Sequence, residues 1–527
     1  YTILTRPEYS QRLVDLERPV KSKLMFTLLV CLFVTSISQT IVSISGPSIV
    51  ANLGGFEYYP WIFAAFSLTS AIVVPIVGKL NDKHGPKKII VPSLLLFSLA
   101  TFICGLSTNI FMLIIARALQ GIGFAGVMGT IWIVIALLWR PFERGKWLGI
   151  TSAGFTTAGV IGPIIGGVIN DFFGWRWIFF TNIPLCLIAT IIIMVQFPSQ
   201  DNFDKSKFDL KGTTLFGLFA STFLLAISVG GQQNSYYSIN ILVLLLISIF
   251  TLCLFVAVEK KAKDPLISLD LFKSRIFSGG ILGSLFIVMP WTVTSVFLPL
   301  SLIGVSGYSA SKASLALIAL AIGSAIGANI FGNLISRSKL ILPIALTGFA
   351  SLGIGMFAFG YTNLNIQYNL ILLLSVFIGF GSTGAFTAFT VPIQNNLPEN
   401  RIGMVTSGLQ FSRMFGISMG SSLLGAILLM NINNYNFSYP RSEIYNPDNI
   451  SSVEKIDEIK YIYISENIDL QIFNDDIKKS KLNLQNGLNK VYYSASLCSL
   501  LGIIISIITL TGINRHPPLE EDSKLNE

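Results

Sequence analysis

Long apolar stretches alternate with short polar ones from one end of this 527-residue chain to the other. The apolar runs fall at about 25–47, 60–79, 89–107, 110–137, 148–170, 177–197, 213–231, 238–258, 277–299, 311–335, 340–360, 368–391, 404–431 and 491–512. Each is close to the roughly 20 residues a helix needs to cross a hydrocarbon core of about 30 Å. Backbone N–H and C=O groups in that medium must pair within their own segment, so a series of such runs is expected to be helical. The pattern predicts an all-α integral membrane protein with about fourteen transmembrane helices.

Composition agrees. The chain is 52% hydrophobic and 12% charged, with a mean hydropathy of +0.68, where soluble chains carry roughly 25% charged residues. No cleavable signal peptide is expected, because the first run is too long and lacks a small-residue cleavage site.

The polar connections orient the helices. An even number of spans puts both termini on one side. That side collects Arg6, Arg12, Arg18, Lys21 and Lys23, then Lys79, Lys83, Lys87 and Lys88, then Arg140, Arg144 and Lys146, and later Lys205, Lys207, Lys211, Lys260, Lys261, Lys263, Lys273, Arg275, Arg337, Lys339 and Arg401. The short connections of the other side hold Arg176 and Lys312. Basic residues are retained on the cytoplasmic side, so both termini are expected there. The net charge of +9 is a topology signal dealt out loop by loop, and no nucleic-acid partner follows from it.

The expected organisation is a cytoplasmic arm (1–24), a six-helix bundle (25–197), linkers carrying two inserted helices (198–276), a second six-helix bundle (277–512) with an extracytoplasmic loop at about 433–490, and a cytoplasmic tail (513–527). A short repeat supports two bundles: Gly78-Lys-Leu80 and Gly332-Asn-Leu334 both open basic connections. The 433–490 segment is polar and reads as a solvated cap, with a role in substrate entry as the alternative. All five cysteines fall inside apolar runs and read as small core residues.

The most regular motif is Gly78-x-Leu80-x-Asp82-x-x-Gly85-x-Lys87-Lys88. Its glycines permit a tight turn, Asp82 suits a helix N-terminus, and the lysines hold the turn at the cytoplasmic face. Arg117-Ala-Leu-Gln120-Gly121-Ile-Gly123 and Gly162-Pro163-Ile-Ile-Gly166-Gly167 follow, then Gly174-Trp-Arg-Trp177 with Asn182-Ile-Pro184, and Arg401-x-Gly403 and Arg413-x-x-Gly416. In this order, with fourteen spans, they resemble the major facilitator superfamily and its fourteen-helix drug–proton antiporter branch. The resemblance covers nearly the whole chain. It implies a secondary transporter, not an enzyme, that exports drug-like amphipathic compounds across the plasma membrane by alternating access. It implies no cofactor or metal, a monomer in the lipid bilayer, and protons as the candidate coupling ion. Gly78, Asp82, Gly85, Lys87 and Lys88 would then form a gating loop. Ala158, Gly162, Pro163, Gly166 and Gly167 would form a packing and hinge stripe, with Ala158 standing where that family has glycine.

Helix one departs from the branch: the row reads Ser38-Gln39-Thr40-Ile41-Val42, with Ser38 in place of a carboxylate. No Asp or Glu falls in the middle of any run; Asp171 and Glu57 lie at outer ends and Asp82, Glu143 and Glu259 at inner ends, while His84 and His516 lie outside. Proton carriers generally use an intramembrane titratable group, so an uncoupled or anion-linked facilitator stays open, as does a non-transporting sensor. Arg117 and Arg413 enter the membrane. A central arginine costs roughly 2.5–3.5 kcal/mol to insert, so Arg117 is expected to face a hydrated cavity or to bond carbonyls and Gln39 or Gln120. Arg413 reads as a cavity residue or a structural anchor. Arg117, Gln39, Gln120, Ser38, Asn182 and Arg413 are the candidate substrate or coupling path, and the charge inventory favours a neutral or anionic amphipathic solute. Trp61, Trp132, Asn170 and Gln394 are further candidates, with packing as the alternative.

Overall fold

The computed structural model describes residues 17–139, 141–197, 210–232, 238–262, 269–338, 341–361, 367–396, 402–432, 439, 441–450, 453–466 and 468–511. Arg6, Arg12, Arg140, Lys205, Lys207, Lys263, Lys339, Arg401 and His516 lie outside them, as do the side chains of Asp82, Glu143, Arg144, Lys146, Arg337 and Gln394.

Fourteen long helices run up and down: α1 (Arg18–Leu53), α2 (Trp61–His84), α3 (Pro86–Gly105), α4 (Ile110–Leu138), α5 (Pro141–Phe173), α6 (Asn182–Gln196), α7 (Leu210–Gln232), α8 (Ile239–Glu259), α9 (Arg275–Leu300), α10 (Ala310–Ser338), α11 (Ile341–Gly360), α12 (Tyr368–Asn396), α13 (Ile402–Met430) and α14 (Leu470–Leu510). Among the described residues twelve spans are long and apolar enough to cross a membrane, that of α6 counted from Trp177; α5 and α7 contain the apolar stretches Thr157–Phe173 and Lys211–Ile227. Below, the near end of the bundle is where α1 begins and the far end is where it stops.

Sequence explains the breaks. Asn109 caps α4, its side chain accepting from Met112 N at 2.8 Å, which satisfies one of the free donors at a helix start. Gly85 alone separates α2 from α3. Its φ of +85° is a conformation that side-chain-bearing residues avoid, and Pro86, which has no N–H to leave unpaired, starts the next helix. At the far end of α9 a π-turn, Ser301–Val305, winds the chain out of the helix after Pro299.

Two features differ from the apolar pattern. The second helix continues past residue 79, so Asp82 sits in its last turn rather than in a loop. The last apolar run is only the second part of a 41-residue helix that starts at Leu470. That helix is roughly 60 Å long at 1.5 Å per residue, twice the hydrocarbon thickness. Its polar first half was indistinguishable from a loop by hydropathy. It projects beyond the far end and carries the helices Arg441–Tyr445, Pro447–Ile450 and Val453–Ser465, which bury Ile444, Tyr445, Ile459, Tyr463 and Phe473 against one another. The 433–490 segment is therefore a small folded cap over its described part.

The two bundles are related by their contacts. In the first, α1 packs on α5 and α6, α2 on α4, and α3 on α4 and α6. Adding eight to each label gives the second: α9 on α13 and α14, α10 on α12, and α11 on α12 and α14. The seams between bundles obey the same rule, since α2 meets α13 and α5 meets α10. This is the arrangement of parallel repeats about an axis along the membrane normal. The inserted pair α7 and α8 pack on each other, and α7 also leans on α13 and α2, so the pair covers one seam and leaves the other uncovered.

Candidate functional site

Glycine sets how closely the helices approach. A Cβ on Gly121 of α4 would lie 2.2 Å from the carbonyl oxygen of Phe66 in α2, and one on Gly379 of α12 would lie 1.9 Å from that of Leu320 in α10. These are repeat-related contacts, made backbone to backbone as small residues allow. On α5, Ala158, Gly162 and Gly166 face α1: Thr40 donates to the Ala158 carbonyl at 3.2 Å, and a Cβ on Gly162 would meet Thr40 Oγ1 at 2.0 Å. Gly167 faces the other bundle, against Ala310 and Ser311 of α10. Pro163 lies inside α5.

Arg117 is 1% exposed and bonded on several sides. Its Nε donates to the Ile62 carbonyl at 3.1 Å, one of its terminal nitrogens donates to Gln120 Oε1, and the guanidinium lies 4.4 Å over the Phe66 ring. Gln120 passes the connection on, its Nε2 donating to Ser38 Oγ at 3.0 Å and to Thr101 Oγ1 at 2.8 Å. Arg117, Gln120 and Ser38 thus form one network tying α1, α2, α3 and α4 together. Gln39 is outside it, with a buried Oε1 that finds no partner. Asn182 is separate again, donating to the Val34 carbonyl of α1 at 3.3 Å. Among the wider candidates, Asn170 donates to Ser48 and Trp132 keeps a buried, unpartnered Nε1.

Arg413 sits in the second bundle. It donates to Gln410 Oε1 at 3.2 Å and to Thr390 Oγ1 at 3.1 Å, and its guanidinium lies 3.8 Å over Phe386. Thr390, Gln410 and Phe386 did not stand out in the sequence. The available signal was a stripe on α12, Thr383, Phe386, Thr387 and Thr390, at helical spacing.

In the Gly78–Lys88 segment, which is helical on either side of Gly85, Gly78 has open space beside it. Asn81 donates to Thr130 of α4 at 3.0 Å. Lys87 reaches the Phe197 carbonyl at 2.7 Å, fixing the end of α6, while Lys88 is exposed.

The described hydrogen bonds between the bundles gather toward the far end. Asp171, at the end of α5, accepts from Ala310 N (3.0 Å), Ser311 N (2.9 Å) and Ser311 Oγ at the start of α10. A carboxylate there meets the positive end of the helix. Tyr59 donates to the Val296 carbonyl of α9, and Ser418 of α13 donates to the Ala64 carbonyl of α2 at 3.0 Å. The cap adds another: Asp448 Oδ1 accepts from Phe56 N at 2.6 Å, next to Gly54 and Gly55, both at positive φ. Burial pushes the Asp448 carboxyl above its ordinary range, partly offset by its backbone hydrogen bonds. Within the cap, Arg441 binds Asp476 with Nε (2.8 Å) and a terminal nitrogen (2.7 Å), and Tyr445 and Tyr463 add their hydroxyls. The Asp476 bond raises the Arg441 pKa, and burial with the nearby carboxylate pushes Tyr463 up to about 12.

A molecule built this way has two repeat-related bundles whose described hydrogen bonds to each other gather at one end. Similarity to known proteins agrees. The family model of the Major Facilitator Superfamily matches residues 28–421. The multidrug transporter protein MdtP of Bacillus subtilis is 32% identical over 409 residues, 77% of this chain and 75% of that one. Multidrug resistance protein 3 of the same organism is 28% identical over 400 residues, 76% and 78% of the two chains. A bacterial homolog of the human lysosomal transporter Spinster, solved in an inward-facing and occupied conformation, shares the fold with a TM-score of 0.67 at 15% identity, covering 95% of this chain and all of that one. With its repeated bundles, its ordered glycine motifs and these relatives, the chain belongs to the Major Facilitator Superfamily.

Proposed function

We propose that this secondary transporter is an exporter of amphipathic, drug-like compounds, seated in the plasma membrane with both termini in the cytoplasm. The observation that carries this reading is the symmetric pair of seams, α2 with α13 and α5 with α10, along which bonding is concentrated at the far end. Rocking about such seams opens one end as the other closes. On this reading the far end is extracytoplasmic, the structure is the inward-facing state, and the Asp171 and Asp448 contacts hold the outer side shut. The Gly78–Lys88 segment belongs to the inner side and latches the opposite state. The relatives named for multidrug transport and resistance support a broad amphipathic substrate range.

Coupling is proposed to run through carboxylates at the helix ends, Asp171 above all, because the sequence keeps acids out of the middle of the spans. Asp171 binds the other bundle directly through its carboxylate, so loss of its charge weakens the outer seal. That same absence of central acids favours an uncoupled or anion-linked facilitator as the second reading. Dye flux in proteoliposomes with an imposed pH gradient separates them. A gradient that drives accumulation supports export by exchange with protons, whereas flux that only equalises dye concentration supports the facilitator.

A further inference from the structure

Helix α13 shows each neighbour a different face. Ser412 donates to the Ile281 carbonyl of α9 at 2.6 Å, and Gly416 and Gly420 lie against the same helix. Ser418 turns to α2, and Phe411 and Phe415 pack on Phe216 and Phe223 of α7. At 3.6 residues per turn, Gln410 and Arg413 occupy the remaining sector between α9 and α2, which points into the bundle. Across from them, Thr383, Phe386, Thr387 and Thr390 line one half-buried face of α12. The exposed Leu370, Leu373 and Phe377 lie on another.

The two intramembrane arginines differ in what they have left to offer. Arg117 is enclosed within one bundle, and its described bonds go to a carbonyl and Gln120 over an aromatic ring. Arg413 bonds two neutral groups, Gln410 and Thr390, and its buried Nε–H has no partner among the described residues. A half-buried cation with no counter-charge among the described residues is costly, and a guanidinium edge matches the two oxygens of a carboxylate in direction and spacing. Phe386, 3.8 Å below the guanidinium plane, holds that plane in place and supplies apolar surface beside it.

We propose that Arg413, positioned by Gln410, Thr390 and Phe386, is the subsite for the anionic group of an amphipathic organic acid, with the carboxylate taking the free Nε–H edge. This rests on the export reading above and names its substrate class. Arg117 is then a structural tie rather than a substrate contact.

Two dyes of similar shape and opposite charge test this: fluorescein, a carboxylate, and rhodamine 6G, a cation without a free carboxylate. Binding is measured by fluorescence anisotropy on the purified full-length protein in detergent. Arg413→Gln is expected to weaken fluorescein at least about tenfold, the scale of a lost charged hydrogen bond, while rhodamine 6G changes less than about twofold. Arg413→Lys should recover part of the loss, because it restores charge without the fork. Thr390→Val should weaken fluorescein by a smaller factor with an unchanged thermal midpoint. The proposal is overturned if the wild-type protein does not bind fluorescein, if Arg413→Gln binds it normally, or if that variant loses both dyes together with thermal stability. Flux of both dyes in proteoliposomes tests the export reading separately. Arg413-dependent binding without flux leaves the subsite standing and removes the exporter, and flux of the cation without fluorescein binding does the reverse.

Discussion

The bonds from Asp171 to α10 give the most direct handle on the outer seal. Asp171→Asn keeps the size of the side chain but removes its charge. One oxygen is left to serve the two amides and the hydroxyl that the carboxylate now receives. Charge-assisted bonds are roughly twice as strong as neutral ones, and a carboxylate at a helix N-terminus adds about 0.3–1 kcal/mol. Solvent reaches this exposed side chain, so the total is screened to on the order of 1 kcal/mol. That is about a fivefold shift in a two-state balance, since 1.4 kcal/mol corresponds to a factor of ten. Distances between spin labels at Leu106 and Tyr361, exposed at the far ends of α3 and α11, report it by pulsed electron paramagnetic resonance in a cysteine-free background. The ratio of short- to long-distance populations should fall by about that factor, and Ser311→Ala, which removes one of the three bonds, should produce a smaller shift in the same direction. An unchanged distance distribution in Asp171→Asn would refute the claim that this contact holds the far end closed.

Other consequences concern packing and the cap. Gly162→Val should lower the thermal midpoint by a loss of roughly 1–3 kcal/mol or more, the range for overpacking, because its Cβ alone would meet Thr40 Oγ1 at 2.0 Å; a midpoint equal to wild type contradicts the α1–α5 packing. Arg441→Ala leaves Asp476, 1% exposed, with the Tyr445 and Tyr463 hydroxyls as its remaining partners among the described residues. It should loosen the cap by about 1–3 kcal/mol, less than the 3–5 kcal/mol of a fully buried pair because Arg441 is partly exposed, and faster proteolysis within 441–465 checks it. The raised Asp448 pKa means that the docked cap binds a proton more tightly than the undocked one. Its stability is therefore greatest below the ordinary carboxylate value and declines as pH rises through the elevated one. Hydrogen exchange at the Phe56 amide, corrected for intrinsic rate, should lose protection across that window, and Asp448→Asn should flatten the dependence.

Much of this was legible because membrane constraints write themselves into the chain. Apolar runs marked the helices, since a continuous apolar run of about 20 residues crosses lipid as a helix, and Gly121, Gly162 and Gly166 marked the close approaches, since a Cβ does not fit there. The link between Arg117 and Gln120 was foreseeable from three residues of helical spacing. Its continuation to Ser38 and Thr101, and not to Gln39, was not, because that depends on how α1 and α3 are rotated. Thr390 and Thr387 passed as filler in an apolar run, as each hydroxyl bonds back to its own helix. The polar half of α14 and the cap gave no periodic apolar signal strong enough to separate helix from loop. Asp448 meeting Phe56, 392 positions away, is a contact that only the folded chain creates.

The central claim is that two symmetric bundles carry a solute by exposing one interior site to each side in turn. Counterflow in proteoliposomes tests it without assuming a coupling ion. Vesicles preloaded with unlabelled fluorescein should take up radiolabelled fluorescein faster, and transiently above equilibrium, than unloaded vesicles, because a carrier returning loaded brings label in. Uptake that is unaffected by preloading, or equal to that of protein-free vesicles, would contradict the account.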